Sequence, residues 1–201
     1  EIARNKQDGL FAATPPLEVM KLLLSTLASG NSGERLMVAD VKRAYFHAKA
    51  RREIYVDLPD EDKEDGMCGM LVKSMYGTRD AAKGWEGTYT RALCELGFMP
   101  GKASPCVFWH RERGLRTVVQ GDDFTTLGTR DQVDWFHAEM ARRFSVKCKV
   151  LGPDRDEERE VRILNRIIRW TKEGLEYEAD QRHGELIVKE LGLQNAKAVT
   201  S

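Results

Sequence analysis

The stretch VVQGDDFTTLG, Val118 to Gly128, puts two neighbouring carboxylates, Asp122 and Asp123, behind a glycine at the end of an apolar run. Apolar residues resume after them, so the stretch reads as two strands joined by a tight turn at GDD. Adjacent like charges at a turn are costly unless a cation sits between them. Either one carboxyl keeps its proton or a metal neutralises the pair. Hard divalent cations take oxygen ligands, and Mg²⁺ characteristically uses one or two carboxylates together with substrate phosphates. Gly121 has no Cβ and lets a ligand come close to the backbone. The plain alternative is a solvated turn, because Gly and Asp are common turn residues.

A second carboxylate upstream shifts the balance. RLMVADV, Arg35 to Val41, is short, apolar and bounded by turn residues, which predicts a buried strand with Asp40 at its exit. Ionisable groups are rare in such places, and sheet ends are where ligand sites gather. Asp40 would also serve as a helix N-cap, a role Asp fills well. If the two strands are neighbours, Asp40 and Asp122 converge on one point, an arrangement suited to two metal ions and phosphoryl transfer.

Around these strands the pattern alternates. TPPLEVMKLLLSTLAS predicts a helix with Thr14 as N-cap and Pro15 in the first position, broken at GNSGE. EIYVDLP and CGMLVKSMYG read as strands. A helix follows from Asp80 to Leu96 with Trp85, Tyr89, Ala92 and Leu96 on one face, and RDQVDWFHAEMARRF aligns Val133, Phe136, Met140 and Phe144. Strands are expected at SVKCKV, across VRILNRIIRW as one element, and at GLEYEA. The acidic loop GPDRDEERE precedes VRILNRIIRW, and a last helix after Asp180 carries Leu186, Ile187, Leu191 and Leu193. Interleaved helices and hairpins of this kind predict an α+β fold, an antiparallel sheet with helices on one face.

The 201 residues suffice for a substantial core, and 41% hydrophobic with 32% charged residues is the composition of a folded globular chain. Lys plus Arg and Asp plus Glu are both 32, so a polyanion partner would have to be held by local basic patches. Cys68, Cys94, Cys106 and Cys148 are scattered, with no CxxC pair, and read as reduced thiols packed as small hydrophobes rather than a zinc site. No apolar run reaches membrane-spanning length and no signal-like start is present, which points to an intracellular protein. The start at EIARNKQDG, without Met, reads as a piece of a longer chain.

The blocks DVKRAYFHA, EIYVDLP, LVKSMYGTRDAAKGW, SPCVF, VVQGDDFTTLG, KVLG, ILNRIIRW and ADQRHGELIVKELGL occur in an order that resembles the reverse transcriptase of copia-type LTR retrotransposons, from about Leu10 to Ser201. The resemblance implies a polymerase palm, with a ferredoxin- or RRM-like antiparallel sheet, partial fingers and the start of a thumb. The implied divisions are a fingers helix region at 1–36, a palm at 37–160 with a finger insertion near 50–80, and a primer-grip strand leading into the thumb at 161–201. It also implies an RNA template, a DNA or RNA primer and deoxynucleoside triphosphates as substrates. The remainder of a Pol polyprotein would be the partner, two Mg²⁺ ions the cofactors with Mn²⁺ as substitute, and a cytoplasmic particle or the nucleus the location.

Residue by residue, the same resemblance makes Asp40, Asp122 and Asp123 the metal-binding and catalytic carboxylates. Lys147 becomes the group that protonates departing pyrophosphate, with Lys149 as runner-up. Val41, Tyr45, Tyr76, Gly77 and Gln120 would meet the incoming nucleotide, Tyr45 excluding a 2′-hydroxyl by its bulk. Gly121, Asn165, Arg166 and Arg169 would meet primer and template, the arginines through backbone phosphates. MYGTRDAAKGW stands where the family has LYGLKQAPRAW, so Ala82 replaces a Pro, and Trp85 reads as packing the helix onto the sheet. Gln120 stands where the family has Tyr, and Asn165 where it usually has Gly. The GDD form also occurs in viral RNA-directed RNA polymerases, which keeps RNA synthesis as an alternative. A catalytically inactive RRM-like nucleic-acid-binding remnant is a third reading, although the aromatic strand typical of RRM modules is missing.

Overall fold

The computed structural model of the protein describes residues 12–30, 33–178 and 181–196. The break expected at GNSGE and the residues just before the last helix lie partly outside them. The chain divides into two compact units, Glu1–Cys148 and Lys149–Ser201.

The first unit begins with α1 (Leu17–Ser29), which starts later than the sequence predicted. Pro16 is the reason. A residue before proline is driven out of the helical region, so Pro15 cannot open the helix, and Pro16 itself is extended at φ −59, ψ 145. There follow β1 (Glu34–Val41), a 3₁₀ turn over Ala44–His47, and the short strands β2 (Tyr55–Val56) and β3 (Gly69–Met70), which pair as a two-stranded ribbon. Next come α2 (Ala81–Glu95), β4 (Met99–Pro100), β5 (Val107–His110), β6 (Leu115–Gln120), β7 (Asp123–Thr129), α3 (Arg130–Arg143) and β8 (Val146–Leu151), within which the division between the units falls after Cys148.

Six strands form one sheet in the order β4-β5-β6-β7-β1-β8. The strand carrying Asp40 and the GDD hairpin are therefore direct neighbours. Registers of Ala39 with Phe124, Val119 with Phe124, and Phe108 with Thr117 put Phe124, Val119, Thr126, Thr117 and Phe108 on one face, because strand side chains alternate. α2 lies there, with Tyr89 edge-on to Phe108 and Phe124, and α3 joins it through Phe136 against Phe98. Phe136, Leu127, Leu36 and Val119 are sealed from solvent. Thr117 and Thr126, buried on the same face, satisfy each other at 2.9 Å, so neither hydroxyl is left orphaned.

The opposite face carries Leu36, Val118, Thr125 and Leu127, all buried, and it is covered by α1 through Met20, Leu23, Leu24 and Leu27. Leu22 and Leu23 of α1 share a cleft there with Val107, Trp109, Arg116 and Val118. This corrects the expectation that the helices all lie on one face. The apolar stripe of α1 needed a surface, and only the second side of the sheet remained.

The second unit holds β9 (Glu160–Ile163), β10 (Arg166–Trp170), β11 (Leu175–Glu178) and α4 (Gln181–Glu190), with the strands in the order β11-β10-β9. VRILNRIIRW is thus a hairpin, not one strand. Leu164 (φ 50) and Asn165 (φ 62) turn it, both left-handed, as the commonest two-residue hairpin loop requires. Leu186, Ile187, Leu191 and Leu193 at the last helix are exposed rather than buried. All four cysteines are free, but only Cys106 is fully buried, and Cys68 and Cys94 are exposed. The Cys148 thiol is pushed up to about 11, by burial first and by the charge of Asp134 second.

Candidate active site

The carboxylates gather because of register. Asp40 is the partner of Asp123 across β1 and β7, and Gln120 is the partner of Asp123 across β6 and β7. Asp40, Asp123 and Gln120 therefore stand side by side at one end of the three central strands. Gly121 and Asp122 form the two-residue turn between Gln120 and Asp123. Gly121 has φ +64, the left-handed value the first turn position needs and that glycine adopts without strain. The turn is then tied to β1, since the Val41 N–H donates to the Asp122 carbonyl at 3.0 Å.

The charges feel one another. Asp123 remains open to solvent, yet its carboxyl is raised to about 6, by partial burial first and then by the negative charges of Asp122 and Asp40. Burial and neighbouring negative charge both disfavour the ionised form, and a cation placed among these carboxylates would relieve the second of the two. The donors are all hard oxygens, which fits Mg²⁺ or Mn²⁺ rather than a soft metal. Among the described residues, no group of three or more His, Cys, Asp and Glu side chains is placed so as to hold a metal ion by itself. Magnesium sites are commonly completed by substrate phosphates rather than by a cage of protein ligands alone.

Two aromatic rings flank this end of the sheet. Tyr45, in the 3₁₀ turn, stacks on Tyr76 with centroids 4.2 Å apart, and Phe46 meets Tyr76 edge-on at 5.9 Å. The Tyr76 hydroxyl has a raised pKa, through desolvation first and the charge of Asp122 second, so the ring stands within reach of the Asp122 charge. Gly77 follows at φ +89 with open space where a Cβ would stand. Beyond the 3₁₀ turn, Lys42, Arg43, Lys73, Phe46, His47 and Ser145 line an open pocket.

The structure thus brings Asp40, Val41, Tyr45, Tyr76, Gln120, Gly121, Asp122 and Asp123 into one neighbourhood. Lys147 is an exposed residue of β8, whereas Lys149 reaches Glu158 at 4.0 Å. Asn165, Arg166 and Arg169 belong to the second unit. Asn165 is at the tip of the β9–β10 hairpin, and Arg166 lies over the Tyr177 ring at 5.4 Å. Arg169 is held by Glu178 at 2.6 Å, Glu160 at 2.7 Å and Glu176 at 3.9 Å.

One contact escaped the sequence reading. Trp85 of α2 donates its indole N–H to the Gly121 carbonyl at 2.8 Å, so it bonds the carboxylate turn as well as packing under it. Helical spacing identified the ring as buried, but spacing carries no information about where a buried N–H finds its acceptor.

Two comparisons bear on this arrangement. Residues 1–154 match the family described as reverse transcriptase (RNA-dependent DNA polymerase). The chain is also similar to the retrovirus-related Pol polyprotein from transposon TNT 1-94 of Nicotiana tabacum, at 22% identity over 202 aligned residues. That alignment takes in 96% of this chain and 14% of the polyprotein, so the chain spans about one seventh of that relative's length. Among the described residues, no helix is long and apolar enough to cross a membrane.

Proposed function

The chain belongs to the reverse transcriptase (RNA-dependent DNA polymerase) family, and from that premise we propose that the acidic end of its sheet adds deoxynucleotides to a primer 3′-hydroxyl on an RNA template. The observation that carries this reading is the register that sets Asp40 against Asp123, with Asp122 tied to β1 by the Val41 N–H. Asp40 and Asp122 would hold two divalent ions, Mg²⁺ or Mn²⁺, with Asp123 supporting them. Such ions, when bound, lower the pKa of an attacking hydroxyl and neutralise charge on the triphosphate.

The chain's own residues supply the rest. Tyr45, braced by Tyr76, forms a wall against a sugar 2′-hydroxyl. Gly77 leaves room beside the template–nucleotide pair, and Gln120 borders the nucleotide. Lys147 delivers a proton to departing pyrophosphate. The six-stranded sheet is the palm, the β2–β3 ribbon belongs to the fingers, and the second unit carries the primer grip at Asn165 and Arg166, with Arg169 beside them tied up by Glu160, Glu176 and Glu178. The partner in this reading is the rest of a Pol polyprotein.

Primer extension on an RNA template with Mg²⁺ tests it. The chain is expected to incorporate deoxynucleotides, and Asp122→Asn to abolish incorporation, a loss of at least about a thousandfold where charge stabilisation dominates. Extension that persists in Asp122→Asn would sink the carboxylate assignment. Preference for ribonucleotides would move the reading to an RNA-directed RNA polymerase.

A further inference from the structure

The turn that presents Asp122 is fixed from two sides. The Asp122 carbonyl is held by the Val41 N–H at 3.0 Å, and the Gly121 carbonyl by the indole N–H of Trp85 at 2.8 Å. The second bond is the unusual one, because the Gly121 carbonyl belongs to the central peptide of a two-residue hairpin turn, which the strand ladder does not restrain.

Two turn types fit a two-residue hairpin. Both have a positive φ at the first position, and they differ in the second, which is positive only in type I′. Gly121 has φ +64, and Asp122 is not among the residues of positive φ, which is the type II′ pattern. Passing from one type to the other rotates the central peptide through about half a turn. Asp is one of the few residues besides glycine that visits the left-handed region, so the Gly121–Asp122 pair is sterically open to both. In the rotated form the Gly121 carbonyl would point away from the indole, and the bond from Trp85 would be lost. The ring itself cannot follow. It is 1% exposed, wedged against Phe144 at 5.2 Å, Tyr89 at 5.6 Å, His47 at 6.1 Å and Phe124 at 6.4 Å.

We propose that Trp85 is a positioning residue that locks the carboxylate turn in the type II′ form and so fixes the direction in which Asp122 meets a divalent ion. The role in ion binding rests on the polymerase reading above, whereas the lock on the turn does not. The competing explanation is that the buried indole merely satisfies its own N–H, as buried tryptophans usually do.

The test uses ¹⁵N-labelled protein and the variant Trp85→Phe, which keeps an aromatic ring but has no N–H. In ion-free wild type, the amide protons of Gly121 and Asp122 should give a weak mutual NOE, as type II′ requires. In Trp85→Phe that NOE should strengthen as type I′ becomes populated. Titration with Mn²⁺, followed by the EPR signal of the free ion, should show about tenfold weaker binding in the variant, the worth of one buried hydrogen bond. Unchanged NOE and unchanged Mn²⁺ affinity in a folded Trp85→Phe protein would overturn the proposal. If wild type and Asp122→Asn bind Mn²⁺ alike, the metal reading has failed, and the NOE still decides the lock. If Trp85→Phe does not fold, wild type alone suffices. Its indole N–H resonance should shift with added Mg²⁺ in step with the Asp122 amide, and an indole signal that stays put while the Asp122 amide shifts would overturn the proposal.

Discussion

Asp123 couples the acidic strand end to pH. Its folded pKa, about 6, lies above the ordinary value of 3.8, because burial and the charges of Asp122 and Asp40 favour the protonated carboxyl. Its contribution to stability is therefore complete below about pH 4 and lost as pH rises through about 6. Ion-free protein in a chelator should melt at a lower temperature at pH 7 than at pH 5 through this group, and Asp123→Asn should flatten that part of the profile. Salt should shallow it, since the carboxyl is open to solvent. Divalent ions compete with the same proton, so Mn²⁺ should bind more tightly as pH rises from 5 to 7. A Mn²⁺ affinity flat over that range would count against a role for Asp123 in holding the ion. At the neighbouring aromatic pair, Tyr45→Ala should raise incorporation of ribonucleotides relative to deoxynucleotides in competition assays. It should also remove stacking on Tyr76 worth about 0.5–1.5 kcal/mol.

The individual elements explain which parts of the fold could be read in advance. β1, β6 and β7 announce themselves as short apolar runs closed by turn residues, and Gly and Asp at GDD are common turn residues. β9 and β10 did not separate, because the apolar residues run on through VRILNRII and hide the turn at Leu164–Asn165. Asn165, which tolerates a positive φ, was the one local signal. Leu164 is not suited to φ 50, so Leu164→Asn should stabilise the second unit by about 1 kcal/mol in chemical denaturation. A destabilising Leu164→Asn would mean that the leucine side chain matters more than its backbone. The carboxylates were legible for the same reason as their strands. The Tyr45–Tyr76 stack and the bond from Trp85 to Gly121 were not, because both join residues far apart in the chain through packing that no local pattern encodes.

On the scale of the molecule, burial is concentrated in the central strands of the six-stranded sheet, where α1 covers one face and α2 with α3 the other. Amide hydrogens of β1, β6 and β7 should exchange slowest, and those of the β2–β3 ribbon much faster, in exchange followed by mass spectrometry. Phe136→Ala, which empties space beneath that sheet, should cost about 3–5 kcal/mol and speed exchange in all three central strands together. The second unit carries a different lesson, written in the three glutamates around Arg169. Affinity for a nucleic acid rises when protein cations displace counterions condensed on the phosphates. A guanidinium already neutralised by Glu160, Glu176 and Glu178 displaces none unless those pairs are broken first. Arg169 would then add almost nothing to the dependence of binding on ionic strength, and Arg169→Gln would leave the slope of log affinity against log salt where it was.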